Sequence, residues 1–296
     1  MTKVRTSPIH QMTVGQWEKA FPTEEHCQAY LAKHRWPTKV MCPRCGNAAV
    51  YVLEGFRWQC QACSPRGYRF SVIAGTIFEN TNKPLRDWFR VIHKMLTSKK
   101  GVSALQIHRE MGFGSYKTAW YMCHRVRAGL AKEEFRQLMG IVEVDETYVG
   151  GDDSNRHFKD KKGSRAGKST VIGAVERKGK VVARVLARAD WTTMEQFIHT
   201  VVSDKVSLLA TDDHHAYAHM SDHFPHGSVT HSRKQYVMGA IHTNTIEGFW
   251  SILKRGIVGS YHKVSAKYLP LYVAEFQFRY NNRKNADIFG TAVSGF

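Results

Sequence analysis

The sequence is short of acid. Its 296 residues carry 25 Asp plus Glu against 43 Lys plus Arg, for a net charge of +18. A cation this strong attracts polyanions, nucleic acid first and anionic membrane second, although a basic chain can also be basic for solubility alone. Long apolar runs are lacking too. No stretch of about 18 apolar residues occurs, which excludes a membrane-spanning helix. The opening MTKVRTSPIHQMTVGQW has no apolar core of the kind a secretory signal needs, so a cytoplasmic protein is expected. Basic residues are scattered rather than gathered on one amphipathic helix, which favours nucleic acid over a membrane. There is no internal repeat and no long low-complexity tract. Hydrophobic content of 43% and aromatic content of 11% exclude a disordered chain. At roughly 100–200 residues per domain, the length predicts two or three domains.

Four of the six cysteines fall in two close pairs, Cys42-Pro-Arg-Cys45 and Cys60-Gln-Ala-Cys63, with 14 residues between the pairs. Two thiolates on a tight knuckle share one ion, and two knuckles complete a tetrahedral sulfur site. Gly46 follows the first pair, where the knuckle turn wants a residue tolerant of positive φ. The intervening VYVLEGFRWQC reads as a hairpin. One structural zinc on Cys42, Cys45, Cys60 and Cys63 is the expectation, with a redox pair or an iron–sulfur cluster as the minor alternatives. Four cysteine ligands leave no open position, so this metal does no chemistry. Cys27 and Cys123 read as ordinary thiols.

Around the ribbon, residues 1–40 read as short helices, with a start near Pro22 and a stop near Pro37. From Pro84 to about Lys132 the pattern is helical: Leu85, Trp88, Phe89, Ile92 and Leu96 recur at three- and four-residue steps. A second helix fits Ser103–Met111, capped by Ser103 and ended by Gly112, and a third runs from Ser115 to Gly129. The last two, joined by a short Gly-containing turn, read as a helix-turn-helix. In that reading Ser115, Tyr116, Lys117 and Thr118 meet bases, and Arg125 and Arg127 meet phosphates. A plain helical bundle is the alternative.

From Gly140 the pattern turns to strands. IVEVDETYV alternates, STVIGAVERKGKVVARVLAR reads as a hairpin turning at Lys178-Gly179, and VSLLAT is a buried strand. Helices are expected at Thr192–Val202, Asp213–His223, Ile241–Arg255 (ending at Gly256) and from about Ser265 to Arg283, with a short strand at Gly227–His231. Strands in a hairpin followed by alternating units predict a mixed α/β sheet. The domain division expected is 1–82 (helices and ribbon), 83–137 (helix-turn-helix-like region) and 138–296 (mixed α/β domain).

Three acids stand out by context. Asp145 sits mid-strand, Asp212 follows directly on a strand, and Glu247 lies on a helix beginning near His242. Phosphoryl transfer on DNA needs an activated nucleophile and a stabilised leaving oxygen, and two divalent ions held by carboxylates serve both. An Asp inside a central strand is costly unless paired or metal-bound. Lys254 lies two turns after Glu247 on the same helix face, with Ser251 between, and is placed to touch a phosphate. Asn244 and His242 lie about one turn before Glu247. Glu143, Glu146 and Asp213 compete for the same role, and Glu143 shares the strand parity of Asp145.

With these residues in view, the chain resembles the bacterial insertion-sequence DDE transposases that carry an N-terminal zinc ribbon. The stretches that carry the likeness are CPRCG…CQAC, GTIFENTNKPLRDWF, SYKTAW, VEVDETYVGG, TDDHHAY, HTNTIEGFWSILKRG and YLPLYVAEFQFRYNNR, in the family's order and over nearly the whole chain. The resemblance implies a ribonuclease-H-like catalytic fold from about residue 138. It also implies that Asp145, Asp212 and Glu247 are the catalytic carboxylates holding two magnesium or manganese ions, with Lys254 as their basic companion. It further implies binding to element ends and target DNA, strand cleavage and transfer, assembly of several copies on DNA, and a place near the bacterial nucleoid. Two rival readings are a DNA-binding regulator with a dead catalytic domain and a nuclease that cuts but never joins.

Two further features draw attention. GGDDSNRHFKDKKGSRAGKST, polar and Gly-rich, reads as a long mobile hairpin that follows a phosphate backbone or simply stays solvated. His214, His215, His219, His223 and His226 cluster. A His215/His219 pair has metal-binding spacing, but a solvated helix face is the preferred explanation. Phe249 and Trp250 are expected in the core rather than stacked on bases.

Overall fold

The computed structural model describes residues 13–63, 65–132, 136–150, 167–188, 190–212, 215–229 and 242–296; at 215, 216 and 218 it describes the backbone alone. The chain divides into two compact units, Met1–Lys132 with Lys284–Phe296, and Glu133–Arg283.

In the first unit, α1 (Val14–Ala20) starts with a capping box in which Thr13 and Gln16 satisfy each other's backbone N–H. Helix α2 (Glu24–Arg35) follows. Three short strands, β1 (Val50–Leu53), β2 (Arg57–Cys60) and β3 (Tyr68–Ser71), then form an antiparallel sheet in the order β1-β2-β3. Its first two strands are the expected hairpin. Helix α3 (Leu85–Thr97) begins after Pro84, and Glu24 from α2 accepts the N–H groups of Leu85 at 2.7 Å and Arg86 at 3.1 Å. A carboxylate there satisfies orphan donors and complements the helix dipole. Helices α4 (Ala104–Met111) and α5 (Tyr116–Leu130) match the expected bounds closely. Ser103 caps the first, Gly112 ends it in the left-handed conformation, and Ser115 caps the second.

In the second unit the strands are β4 (Ile141–Val149), β5 (Ser169–Glu176), β6 (Val181–Leu186), β7 (Leu208–Asp212) and β8 (His226–Val229). Their spatial order is β6-β5-β4-β7-β8. The first three form an antiparallel meander, and β7 and β8 add in parallel. This is the mixed sheet expected of a ribonuclease-H-like domain. Helix α6 (Trp191–Val201), capped by Asp190, and a 3-10 helix at His215–Asp222 cover one face, where Val142, Val144, Ile172 and Ala174 meet Phe197, Ile198, Tyr217 and Met220. Helices α7 (Asn244–Gly256) and α8 (Leu269–Asn281) cover the other, where Val171, Val175 and Ala183 meet Ile246, Trp250, Leu253 and Phe276. Both faces of the meander are therefore buried, and β5 reads as a nearly continuous apolar run.

Several expectations shift. The segment expected as a helix at Asp213–His223 is a 3-10 helix, and Asp213 and His214 lie outside the described residues. Gly256 does not stop α7: it has an ordinary right-handed conformation, and the chain runs on through a π turn at Ile257–Tyr261. The last expected helix starts at Leu269 rather than Ser265. A further helix, α9 (Ile288–Ser294), was not foreseen. It belongs to the first unit, where Phe289 lies 5.2 Å from Phe89 and 5.9 Å from Phe21, ring centre to ring centre. The unit boundaries thus differ from 1–82, 83–137 and 138–296. Ribbon and helices share one unit, and the C-terminal segment joins them. Most of the Gly-rich hairpin, residues 151–166, and the end of the strand expected at Gly227–His231 lie outside the described residues.

Candidate active site

Alternation along β4 sends its side chains to opposite faces. Glu143 and Asp145 share the face covered by α7, while Val144 and Glu146 share the other. The parallel register pairs Ile141 with Leu208, Val142 with Leu209 and Glu143 with Ala210. Two residues beyond that last pair stand Asp145 and Asp212, close enough that the Asp212 charge acts on Asp145. Asp145 is half-buried. Its Oδ1 accepts the Glu146 N–H at 2.8 Å and its Oδ2 accepts the Trp250 indole N–H at 3.1 Å. Burial, then the Glu146 and Asp212 carboxylates, push its pKa up to about 7, against the opposing pull of those two hydrogen bonds. Like charges in a partly desolvated place are what a divalent cation relieves, so this donor set suits a hard metal ion.

Trp250 reaches Asp145 because Gly173, paired with Asp145 across β4 and β5, has no side chain. A Cβ at Gly173 would sit 2.7 Å from the indole. Trp250 is buried as expected, yet it also orients a site carboxylate. On the other face Glu146 accepts the Tyr217 hydroxyl at 2.7 Å. Burial and then the Glu146 charge raise the Tyr217 pKa well above its ordinary value, so Tyr217 remains a donor.

Glu143, a rival for the role of Asp145, is 0% exposed. Its Oε2 accepts the backbone N–H groups of Thr245 at 2.7 Å and Ile246 at 3.1 Å, and its Oε1 accepts the Thr245 hydroxyl at 2.9 Å. Arg177 Nε donates to Oε1 at 2.6 Å, and His242 Nδ1 lies 3.2 Å from it. Glu143 is thus the cap of α7, supplied by a strand instead of by the helix's own Thr243, whose side chain makes no cap hydrogen bond. It fixes α7 against β4. No sequence signal distinguished it from a ligand.

Glu247 stands in the first turn of α7, exposed, and accepts the Thr243 hydroxyl at 3.1 Å. It precedes Trp250 by three residues, so it shares the helix side nearest Asp145. The ligand atoms of Asp145, Asp212 and Glu247 are not among the described groups that lie within 4.8 Å of one another. Asp145 feels the Asp212 charge, so these two acids are neighbours, while Glu247 is exposed on the helix that supplies Trp250 to Asp145. Lys254 is exposed in the last turn of the same helix.

In the ribbon the four cysteine sulfurs lie within 4.8 Å of one another. Cys42 and Cys63 are 3.8 Å apart, and Cys45 and Cys60 are 3.6 Å apart. A sulfur tetrahedron with Zn–S bonds of about 2.3 Å has edges of about 3.8 Å, so the donors fit one zinc. Gly46 has φ 72°, and its N–H closes the knuckle on the Cys42 carbonyl. Cys27 and Cys123 are fully buried.

The helix-turn-helix residues separate. Tyr116 and Lys117 are exposed, Thr118 is half-buried, and the Ser115 hydroxyl is engaged by the Lys117 N–H at 3.2 Å. Arg125 donates to the Glu79 carbonyl at 2.8 Å and lies over the Trp88 ring. Arg127 is 1% exposed. The expected phosphate contact of Arg127 does not hold, because its guanidinium is inside the unit. Tyr121, 60% exposed and one turn after Lys117, was not singled out.

The histidine cluster also divides. The side chain of His215 lies outside the described residues, His219 is exposed, and His226 is half-buried between Thr211 at 2.8 Å and Ser221 at 3.2 Å. Burial lowers the His226 pKa, so it stays neutral. No helix among the described residues is long and apolar enough to cross a membrane.

Residues 137–281 match the family model of the ISXO2-like transposase domain, and residues 22–66 match that of the transposase zinc-ribbon domain. The chain is similar to an uncharacterized protein in transposable element ISH50 of Halobacterium salinarum, 28% identical over 278 residues that cover 88% of this chain and 92% of that one. Among solved structures it is similar to a chain of the simian T-cell lymphotropic virus intasome in complex with PP2A regulatory subunit B56 gamma (17% identity, 60% of this chain and 68% of that one, TM-score 0.29). It is also similar to the HTLV-2 integrase catalytic core domain in complex with magnesium (14% identity, 49% and 88%, TM-score 0.27). Scores this low carry no weight beside the strand order itself.

Proposed function

The chain belongs to the insertion-sequence transposases that carry an N-terminal zinc ribbon, and from that premise we propose that it cuts and joins DNA at its element's ends, using Asp145, Asp212 and Glu247. What supports this is the nearness of Asp145 and Asp212 on the neighbouring strands β4 and β7, with the Asp145 pKa raised to about 7 by burial and by the Glu146 and Asp212 charges. Two divalent ions, magnesium or manganese, held by the three carboxylates would supply nucleophile activation and charge stabilisation at the leaving oxygen.

The protein's own residues then have separate tasks. Trp250 fixes the Asp145 rotamer through its indole N–H. Glu143 holds the N-terminus of α7, and with it Glu247, beside the sheet. Lys254, two turns after Glu247, offers its ammonium to a phosphate flanking the reacting one. The first unit, with its ribbon and the exposed Lys117 and Tyr116, grips the ends. Hydrolysis at an end frees a 3′-hydroxyl, which attacks a target phosphodiester; no covalent protein–DNA link is required. Action on two ends calls for more than one copy of the chain.

The test is a strand-transfer assay with the native element's ends, target plasmid and magnesium or manganese, comparing wild type with Asp145→Ala. Joined product from wild type, lost in the variant while end binding survives, supports the proposal. Salt-sensitive binding without cutting by zinc-loaded protein would instead make it a regulator. Cutting without joining would make it a nuclease.

A further inference from the structure

A second cluster of metal-binding side chains lies away from the acids. Glu195 and His199 are four residues apart on α6 and so share one face. His223 comes from the turn after the 3-10 helix. His223 Nε2 lies 3.6 Å and His199 Nε2 4.0 Å from Glu195 Oε1, and ligand atoms of all three residues fall within 4.8 Å of one another. The two imidazole rings meet edge to face at 5.0 Å, and His199 also packs on buried Phe224 at 5.1 Å. The Glu195 side chain is only 19% exposed. Glu195 is thus held mostly inside, while His199 and His223 are exposed and open to an incoming ion.

We infer that Glu195, His199 and His223 bind one divalent transition-metal ion, zinc first, tying α6 to the end of the 3-10 helix. Two imidazoles and one carboxylate are a borderline donor set, suited to zinc, nickel or cobalt and unsuited to magnesium, which wants oxygen alone. Bonds of about 2.0–2.2 Å in tetrahedral geometry need donors about 3.4 Å apart, close to the 3.6 and 4.0 Å from Glu195 to the two histidines. A fourth position remains open to water. The ion would also stiffen the 3-10 helix, which carries Tyr217, the donor to Glu146 on the opposite face of β4 from Asp145. The inference does not depend on the transposase reading.

Cobalt(II) titrated into the zinc-loaded full chain, with magnesium in excess to fill the carboxylate site, tests this. One equivalent should bind with a visible spectrum lacking a thiolate-to-cobalt charge-transfer band, and zinc should displace it. Cobalt entering the ribbon would show that band. His199→Gln and His223→Gln should each weaken binding by at least about 100-fold, the most that losing a hydrogen-bond partner behind a metal ligand costs. Their metal-free melting midpoints should match wild type, which separates loss of a ligand from loss of fold. No uptake beyond the ribbon would overturn the inference, and so would two folded variants that bind like wild type. If a variant fails to fold, the wild-type stoichiometry and spectrum decide.

Discussion

The ribbon and the acidic site are both built for cations, and they are built in opposite ways. The ribbon takes four identical soft ligands from two tight knuckles within 22 residues, Cys42 to Cys63. Its sulfurs already stand at tetrahedral spacing. The proposed acidic site would take one hard ligand each from β4, β7 and α7, far apart in the chain: Asp145, Asp212 and Glu247. Asp145 feels the charge of Asp212, and Glu247 is exposed in the first turn of its helix. A closed site made by local turns needs only its metal, and there metal energy is folding energy. An open site that must exchange substrate needs a scaffold independent of the ion, and here Glu143, Arg177 and Trp250 supply it.

The comparison breaks most visibly at the ribbon. Cys60→Ser, or chelation of zinc, should unfold residues 41–71, because structural zinc contributes apparent binding energies of about 10–16 kcal/mol. Limited proteolysis should show new cleavage there and none in Glu133–Arg283 beyond that of the zinc-loaded protein, with one zinc per chain lost. End binding should fail with it. An intact ribbon after zinc loss would mean that the aromatic packing of Trp36, Trp58 and Phe70 holds it alone.

The acidic site should behave in the reverse manner, with its ligand opposing folding. Asp145 has a native pKa of about 7 and an ordinary value of 3.8, so the native state holds the extra proton between them. Stability contributed by the protonated form is complete below about pH 4 and is lost as pH rises through about 7. Asp145→Asn removes that loss. Without divalent ions, the variant should be more stable than wild type above pH 7 by up to about 4 kcal/mol, a gap that closes toward pH 4. Urea unfolding at both pH values measures it. Equal stability at pH 8 would mean that Asp145 is solvated well enough to ionise at little cost.

Glu143 sharpens the contrast, since it sits two residues from Asp145 on the same face and does a different job. Glu143→Ala should cost about 3–5 kcal/mol, because it leaves Arg177 and the first N–H groups of α7 without their acceptor. If Glu143 were instead a metal ligand, the variant would lose activity while keeping its melting midpoint. The pair also shows what was legible in the sequence. Strand alternation marked IVEVDETYV, and parity placed both acids on one face, but period-2 reasoning cannot tell which acid a distant helix N-terminus will occupy. The knuckles, the caps at Ser103 and Gly112 and the hairpin at Lys178-Gly179 were legible because each is set by residues close in sequence. Helix α9, the role of Gly173 beneath Trp250 and the π turn after Gly256 were not, because packing partners far along the chain decide them.

The smallest expected effects test the same distinction in the helix-turn-helix region, where a basic residue is either a tool or a strut. Lys117 is exposed in the first turn of α5, whereas Arg127, on the same helix, is 1% exposed. If Lys117 contacts a phosphate, Lys117→Ala should weaken binding to all DNA sequences alike. It should also reduce the slope of log affinity against log salt by about 1, the signature of one fewer released counterion. Arg127→Ala should leave that slope unchanged and lower the melting midpoint instead, because it removes a buried, packed side chain. Binding measured at several salt concentrations, with thermal melts of both variants, separates the two. A reduced slope for Arg127→Ala in folded protein would show that α5 opens on DNA, and would return Arg127 to the phosphate-binding role first read from its charge.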